Sequence, residues 1–249
     1  MSNVLNPVEL TSALIKCRSI TPKSAGSIDL IISYLEPMGF TCTKIDFGQG
    51  DEKVENLYAR FGSLEPNICF AGHVDVVPTG DEQNWSIDPF GGEIKKGKIW
   101  GRGAADMKSG IAAFIAAVSE FMEINKNLKD YGSISFIITS DEEGKAINGT
   151  KKVVEWLINK SEKISGCLVG EPTNVNQMGD TIKIGRRGSF TGSLIVNGTQ
   201  GHVGYPDLAE NPINSLLKML EPFAKIYLDK GTNEFQPSTV MITTIDVNN

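Results

Sequence analysis

Residues 67–75 read Asn67-Ile68-Cys69-Phe70-Ala71-Gly72-His73-Val74-Asp75, an apolar run that ends on a histidine and an aspartate two residues apart. The run predicts a short buried strand over Asn67 to Ala71 leading into His73. On extended backbone, residues two apart face the same side, so His73 and Asp75 project together. Downstream, Lys108 to Ile124 is rich in Ala and Ile and predicts a helix. Ser133 to Thr139 predicts a strand, Thr150 to Asn159 a helix, and Gly166 to Val169 another short buried strand. Strands alternating with helices predict an α/β fold, with a mixed, mostly parallel sheet and helices on both faces.

Upstream, Asn6 can cap a first helix that has Pro7 at its first position and Glu9 three residues after the cap. Ile28, Ile31, Ile32 and Leu35 mark one apolar face of a second helix ending near Gly39. Thr41 to Phe47 and Asn56 to Phe61 alternate as half-buried strands. Beyond the α/β portion, composition shifts over the polar stretch Asn174 to Asp180. Phe190 to Asn197 and Ser238 to Val247 then predict strands, and Pro212 to Ile226 a helix. The division expected is a first, α/β domain over 1–179 and a second, smaller α+β domain over 180–249.

Composition narrows the function. Apolar residues make up 40% of the 249 and charged residues 22%, so a buried core is expected and disorder is not. The net charge of −6 and the lack of a Lys/Arg run argue against nucleic acid as a partner. The four cysteines, Cys17, Cys42, Cys69 and Cys167, form no Cys-x-x-Cys pair, which argues against a disulfide framework or a cysteine zinc site. Cys69 and Cys167 read as small core residues. The longest strongly apolar stretch, Ile111 to Val118, is too short to span a bilayer, and no signal peptide is visible. A soluble cytoplasmic protein is expected.

Four polar clusters follow strand-like runs or lie in the loops between elements: Ala71 to Pro78, Gly101 to Lys108, Thr139 to Gly144, and Val169 to Pro172. Open α/β sheets place their sites at the carboxyl ends of strands. Zinc takes His nitrogen and carboxylate oxygen, and a ligating His needs an acceptor to fix its tautomer. Asp75 can orient His73, and Asp106 can bridge two metals. The pair Glu142-Glu143 can divide the roles of general base and ligand, and Glu171 can complete a first metal. Taken singly each cluster is ordinary: a satisfied structural histidine, a solvated Asp-Glu-Glu turn, a Glu-Pro loop. Together, in an acidic α/β chain, they point to a metal site.

These clusters resemble those of the dinuclear zinc aminoacylase and carboxypeptidase family, which also includes acetylornithine deacetylase. Lys183 to Ser189, Gly201 to Pro206, Thr79-Gly80-Asp81, Trp85 and Leu208 to Pro212 resemble the desuccinylating members in particular. The resemblance runs along essentially the whole chain. It implies two zinc or cobalt ions, one held by His73, Asp106 and Glu171, the other by Asp106, Glu143 and a second histidine. It also implies Glu142 as general base, Asp75 as orienter of His73, and a cis Asp106–Met107 peptide. His202 would reach the partner subunit's active site and donate to the oxyanion, in a homodimer built through the second domain, which also closes as a lid. Arg186, Ser189 and Tyr205 match positions that contact the succinyl end of the substrate, with Arg187 the near competitor of Arg186. The implied reaction is hydrolysis of N-succinyl-LL-2,6-diaminopimelate to succinate and LL-2,6-diaminopimelate, in lysine and diaminopimelate synthesis. Acetylornithine deacetylase-like and peptidase activities are the neighbouring alternatives.

The resemblance places the second metal histidine near the end of a considerably longer chain, whereas the histidines here are His73 and His202. It therefore implies a second domain present only in part, a first domain without its return segment, and a second metal site short of one ligand. Impaired turnover, or an inactive fragment that only dimerises, is the corresponding expectation.

Overall fold

The computed structural model describes residues 4–247. It divides into two compact units, Met1–Thr181 and Ile182–Asn249.

The first unit opens with α1 (Pro7–Lys16), whose N-cap Asn6 accepts from the Val8 N–H. Next come α2 (Ser27–Leu35) and a short 3-10 turn ending at Gly39, where φ is +90°. Then follow β1 (Thr41–Phe47), β2 (Val54–Phe61) and β3 (Asn67–His73). A small hairpin of β4 (Glu93–Lys95) and β5 (Lys98–Trp100) precedes α3 (Ser109–Ile124). The unit continues with β6 (Ser133–Thr139), α4 (Thr150–Asn159) and β7 (Gly166–Val169).

The main sheet has the order β1-β2-β6-β3-β7. β3 runs parallel to β6 and β7, while β2 is antiparallel to both β6 and β1. Four of the five strands therefore point the same way, which is the expected mixed, mostly parallel sheet. Alternate residues of each strand serve opposite faces. Leu57, Ala59, Phe70, Phe136 and Ile138 face α1, α2 and α3, where Phe136 meets the rings of Phe40, Phe70 and Phe114. Tyr58, Cys69 and Ile137 face the other way, onto Val153 and Leu157 of α4.

Two local expectations change. Lys108 does not start α3 but closes the preceding turn, Ala104–Lys108, whose Asp106–Met107 peptide is cis. The Lys108 side chain is buried, and its Nζ donates to the carbonyls of Leu14 and Cys17, at 2.9 Å each. Burial pulls its pKa down to about 8. Cys69 is buried as expected, but Cys167 is exposed. It lies on β7, which among the described residues pairs only with β3, so its side chain has sheet neighbours on one side alone.

The second unit departs further. Its helix α5 (Pro212–Leu220) is capped by Asn211, which accepts from the Ile213 N–H. It stops short of the expected Ile226 because Pro222 lacks an N–H to continue the ladder, and a 3-10 turn, Glu221–Ala224, takes over. The strands expected over Phe190 to Asn197 and Ser238 to Val247 are absent from the described residues. Only the isolated bridges Thr199↔Glu210 and Tyr227↔Thr239 form. Alternation predicts a strand only where a ladder and an apolar layer receive it. Here Phe190, Ile195 and Met241 are exposed instead. Among the described residues the second unit holds one α-helix, two 3-10 turns and irregular chain.

Candidate metal centre

The centre forms where the carboxyl ends of β3, β6 and β7 meet the turn before α3. His73 is the last residue of β3, and Glu142 and Glu143 follow β6 closely. Glu171 comes two residues after β7, and Asp106 sits on the turn that leads into α3. Glycines allow this approach. A Cβ on Gly110 would lie 2.5 Å from the Gly170 carbonyl, and one on Gly170 would lie 2.8 Å from Met107 Cε. Larger residues would hold α3 away from the end of β7, and Asp106 away from Glu171.

His73 is buried, and its tautomer follows from its partners. Nδ1 lies 2.9 Å from the Asp75 carbonyl oxygen, which can only accept, so Nδ1 carries the proton. In the neutral ring Nε2 then holds a lone pair. It faces Asp106 Oδ1 at 3.2 Å and Glu171 Oε1 at 3.4 Å, with Glu142 Oε2 at 3.9 Å. A lone pair facing carboxylates is unfavourable unless a cation or a proton lies between them. Two groups of ligand-type side chains meet here, His73 with Asp106 and Glu143, and His73 with Glu142 and Glu171. The ligating atoms of each group lie within 4.8 Å of one another.

A divalent metal fits this arrangement. Bonds of about 2.0–2.2 Å to nitrogen and oxygen at tetrahedral angles set ligand atoms roughly 3.3–3.5 Å apart. The spacings from Nε2 to Asp106 and Glu171 match that separation. The charges point the same way. Burial, then the Asp106 charge, raises the Glu143 pKa. Burial likewise raises that of Glu171, with Asp106 and Glu142 adding to the rise. For His73 burial opposes the charged form, but the Asp75 carbonyl and the surrounding carboxylates outweigh it, and the pKa is raised. Protons and metal therefore compete for the same atoms. Zinc affinity is expected to fall as pH drops through the raised His73 pKa, and further as Glu171 and Glu143 protonate above their ordinary 4.5. Zinc titrations between pH 8 and pH 5 would check this, and a flat profile would contradict it.

Asp75 serves the centre in two ways. Its carbonyl orients His73, while its buried carboxylate accepts from the backbone N–H groups of Glu142 (3.1 Å) and Glu143 (3.0 Å). The nearer imidazole nitrogen is 3.6 Å from that carboxylate. Asp141 was not singled out by sequence, yet its buried carboxylate accepts from the N–H groups of Ala146, Ile147 and Asn148, each at 3.1 Å. It folds the loop back behind Glu142 and Glu143. Asp141→Ala orphans three N–H groups and is expected to cost about 2–4 kcal/mol in urea unfolding. A loss under about 0.5 kcal/mol, the range of ordinary surface changes, would show the loop holds without it.

The residues expected of the second unit are all exposed there: Arg186, Ser189, His202 and Tyr205. The His202 and Tyr205 rings lie 5.6 Å apart, and His202 Nδ1 accepts from the Gly204 N–H. Arg187 is engaged, donating to the carbonyls of Gln236 and Pro237. Among the described residues, no helix is long and apolar enough to cross a membrane.

Comparison with known proteins places this geometry in context. The model of peptidase family M20/M25/M40 matches residues 69–247. A succinyl-diaminopimelate desuccinylase of Rhodospirillum centenum is 55% identical over 98% of this chain and 63% of its own length. One from Pelagibacter ubique is 51% identical over 98% of this chain and 63% of its own length. The chain thus spans a little over three-fifths of the length of these relatives. Among solved structures, an M20 family metallo-carboxypeptidase of Sulfolobus solfataricus superposes with a TM-score of 0.63 at 18% identity. That match covers 90% of this chain and 50% of the other, and speaks for the fold alone.

Proposed function

Since the chain belongs to peptidase family M20/M25/M40, we propose that it carries the metal-binding centre of an amidohydrolase acting on N-succinyl-LL-2,6-diaminopimelate. The products are succinate and LL-2,6-diaminopimelate. The observation that carries this reading is His73, with its tautomer set by Asp75 and its Nε2 held at metal-ligand spacing from Asp106 and Glu171. The desuccinylases that share half or more of its residues support the choice of acyl group.

His73, Asp106 and Glu171 hold the first zinc or cobalt ion, since nitrogen and carboxylate donors suit either metal. Asp106 and Glu143 contribute to the second. When bound, the metal polarises the scissile carbonyl and lowers the pKa of water. Glu142 is the general base. Its side chain is about half exposed, so it can meet water and substrate, while Asp75 fixes its backbone. It takes the proton from the attacking water and returns it to the leaving amine.

Arg186 supplies the bidentate fork for the succinyl carboxylate. The engagement of Arg187 with Gln236 and Pro237 favours Arg186 for that role. Ser189 and Tyr205 line the same end of the substrate. His202 donates to the oxyanion of a partner subunit in a homodimer formed through the second unit. Free cysteines fit a cytoplasmic setting.

Amine release from N-succinyl-LL-2,6-diaminopimelate, N-acetylornithine and a set of dipeptides, measured on the zinc-loaded protein, tests the reading. Release from the succinylated substrate is expected to lead by at least about 10-fold, the scale of one charge-assisted hydrogen bond. Equal turnover of the acetylated amine, or faster turnover of peptides, would move the activity to another branch of the family.

A further inference from the structure

Cys69 and Cys167 are direct partners across the parallel pair β3–β7, so their side chains leave the sheet on the same face. Neighbouring strands lie about 4.7–4.9 Å apart, within the roughly 4.4–6.8 Å between Cα atoms that a disulfide spans. The two thiols differ in the way a redox pair requires. Cys167 is exposed and Cys69 is buried. The Cys69 thiol donates to the Phe70 carbonyl at 3.5 Å, and its nearness to Cys167 outweighs burial and pulls the Cys167 pKa down to about 7. The neighbouring Cys167 sulfur, together with burial, pushes the Cys69 thiol up. An exposed thiolate beside a buried resolving thiol is the arrangement that oxidants select.

The pair is also placed to matter. Cys69 stands four residues before His73, and Cys167 four residues before Glu171, each along its own segment. His73 Nε2 and Glu171 Oε1 are 3.4 Å apart.

We propose that Cys69 and Cys167 form a reversible intramolecular disulfide on exposure to a hydroperoxide, and that this bond loosens the His73–Glu171 side of the metal centre. The Cys167 thiolate attacks one peroxide oxygen. The O–O bond breaks, one water leaves once the departing oxygen is protonated, and Cys167 becomes a sulfenic acid. The Cys69 sulfur then attacks that sulfur, the S–O bond breaks, and a second water leaves with the remaining proton. Two thiols and hydrogen peroxide thus become one disulfide and two waters, with two electrons passing to the peroxide. In-register Cβ atoms of parallel strands stand roughly one strand spacing apart, wider than the usual disulfide separation of about 3.8 Å. Closing the bond draws β3 and β7 together, and a bond closed under such a pull is readily reduced. It acts as a switch and not as a staple.

The effect on the centre rests on the metal-site reading above, whereas the disulfide itself does not. The test treats metal-free protein with hydrogen peroxide, maps its peptides by mass spectrometry, and measures zinc affinity before and after. Expected are a linked Cys69–Cys167 peptide, its reversal by dithiothreitol, and its absence from Cys167→Ser and Cys69→Ser. Zinc affinity is expected to fall about 10-fold on oxidation, the scale seen when support around a metal ligand is lost, and to recover on reduction. Sulfinic or sulfonic acid on Cys167 with Cys69 still reduced would overturn the proposal, as would bonds to Cys17 or Cys42. A linked peptide with unchanged zinc affinity would overturn the effect on the centre. If the reduced protein binds no zinc at all, the metal-site reading fails, and the linked peptide alone then decides for or against the disulfide.

Discussion

His73→Ala is expected to lower zinc affinity by at least about 100-fold, beyond the 10–100-fold that losing mere support for a ligand costs. His73 is shared by both ligand-type groups, so no set at the centre survives its removal intact. The remaining donors are carboxylates whose mutual repulsion already shows in the raised pKa values of Glu143 and Glu171. A competition titration against a chromophoric chelator would measure the change. Binding within a few-fold of the parent would mean that the carboxylates alone make the site.

In a chain with both metal sites complete, Glu142→Gln is expected to lower turnover of the proposed succinylated substrate by about 10²–10⁴-fold, the range that general-base catalysis contributes. Metal content should stay near that of the parent. Gln matches Glu in shape, and the backbone N–H of residue 142 keeps its bond to the Asp75 carboxylate. Only the proton acceptor disappears. Glu142 also belongs to the group with His73 and Glu171, so the variant separates two roles. Loss of turnover with metal retained identifies a base, and loss of both identifies a ligand.

The first unit was legible in sequence because its strands are short apolar runs and its helices carry one apolar stripe. β3, β6 and β7 fall where those runs predict, and the site residues follow at or just beyond their carboxyl ends. What the pattern did not carry depends on how distant segments close on one another. The loop-folding role of Asp141 needs three N–H groups that follow it to turn back upon its carboxylate. The anchoring of the Asp106 turn by Lys108 needs the end of α1 to arrive above it. The exposure of Cys167 follows from the position of β7 at the sheet edge, which a four-residue apolar run cannot report. In the second unit, alternation around Phe190 to Asn197 suggested a strand, but a strand is a property of a pair, and none of the described residues offers the ladder.

If His73, Asp106 and Glu171 hold one metal in this chain, the folded protein keeps it when loosely held metal is removed. Zinc stoichiometry of the folded protein after removal of loosely held metal tests it most directly. One tightly held zinc per chain is the predicted result, because both groups of ligand-type side chains share His73, and the sequence has only His73 and His202 as imidazoles. A folded protein that retains no zinc would show that these three residues make no metal site.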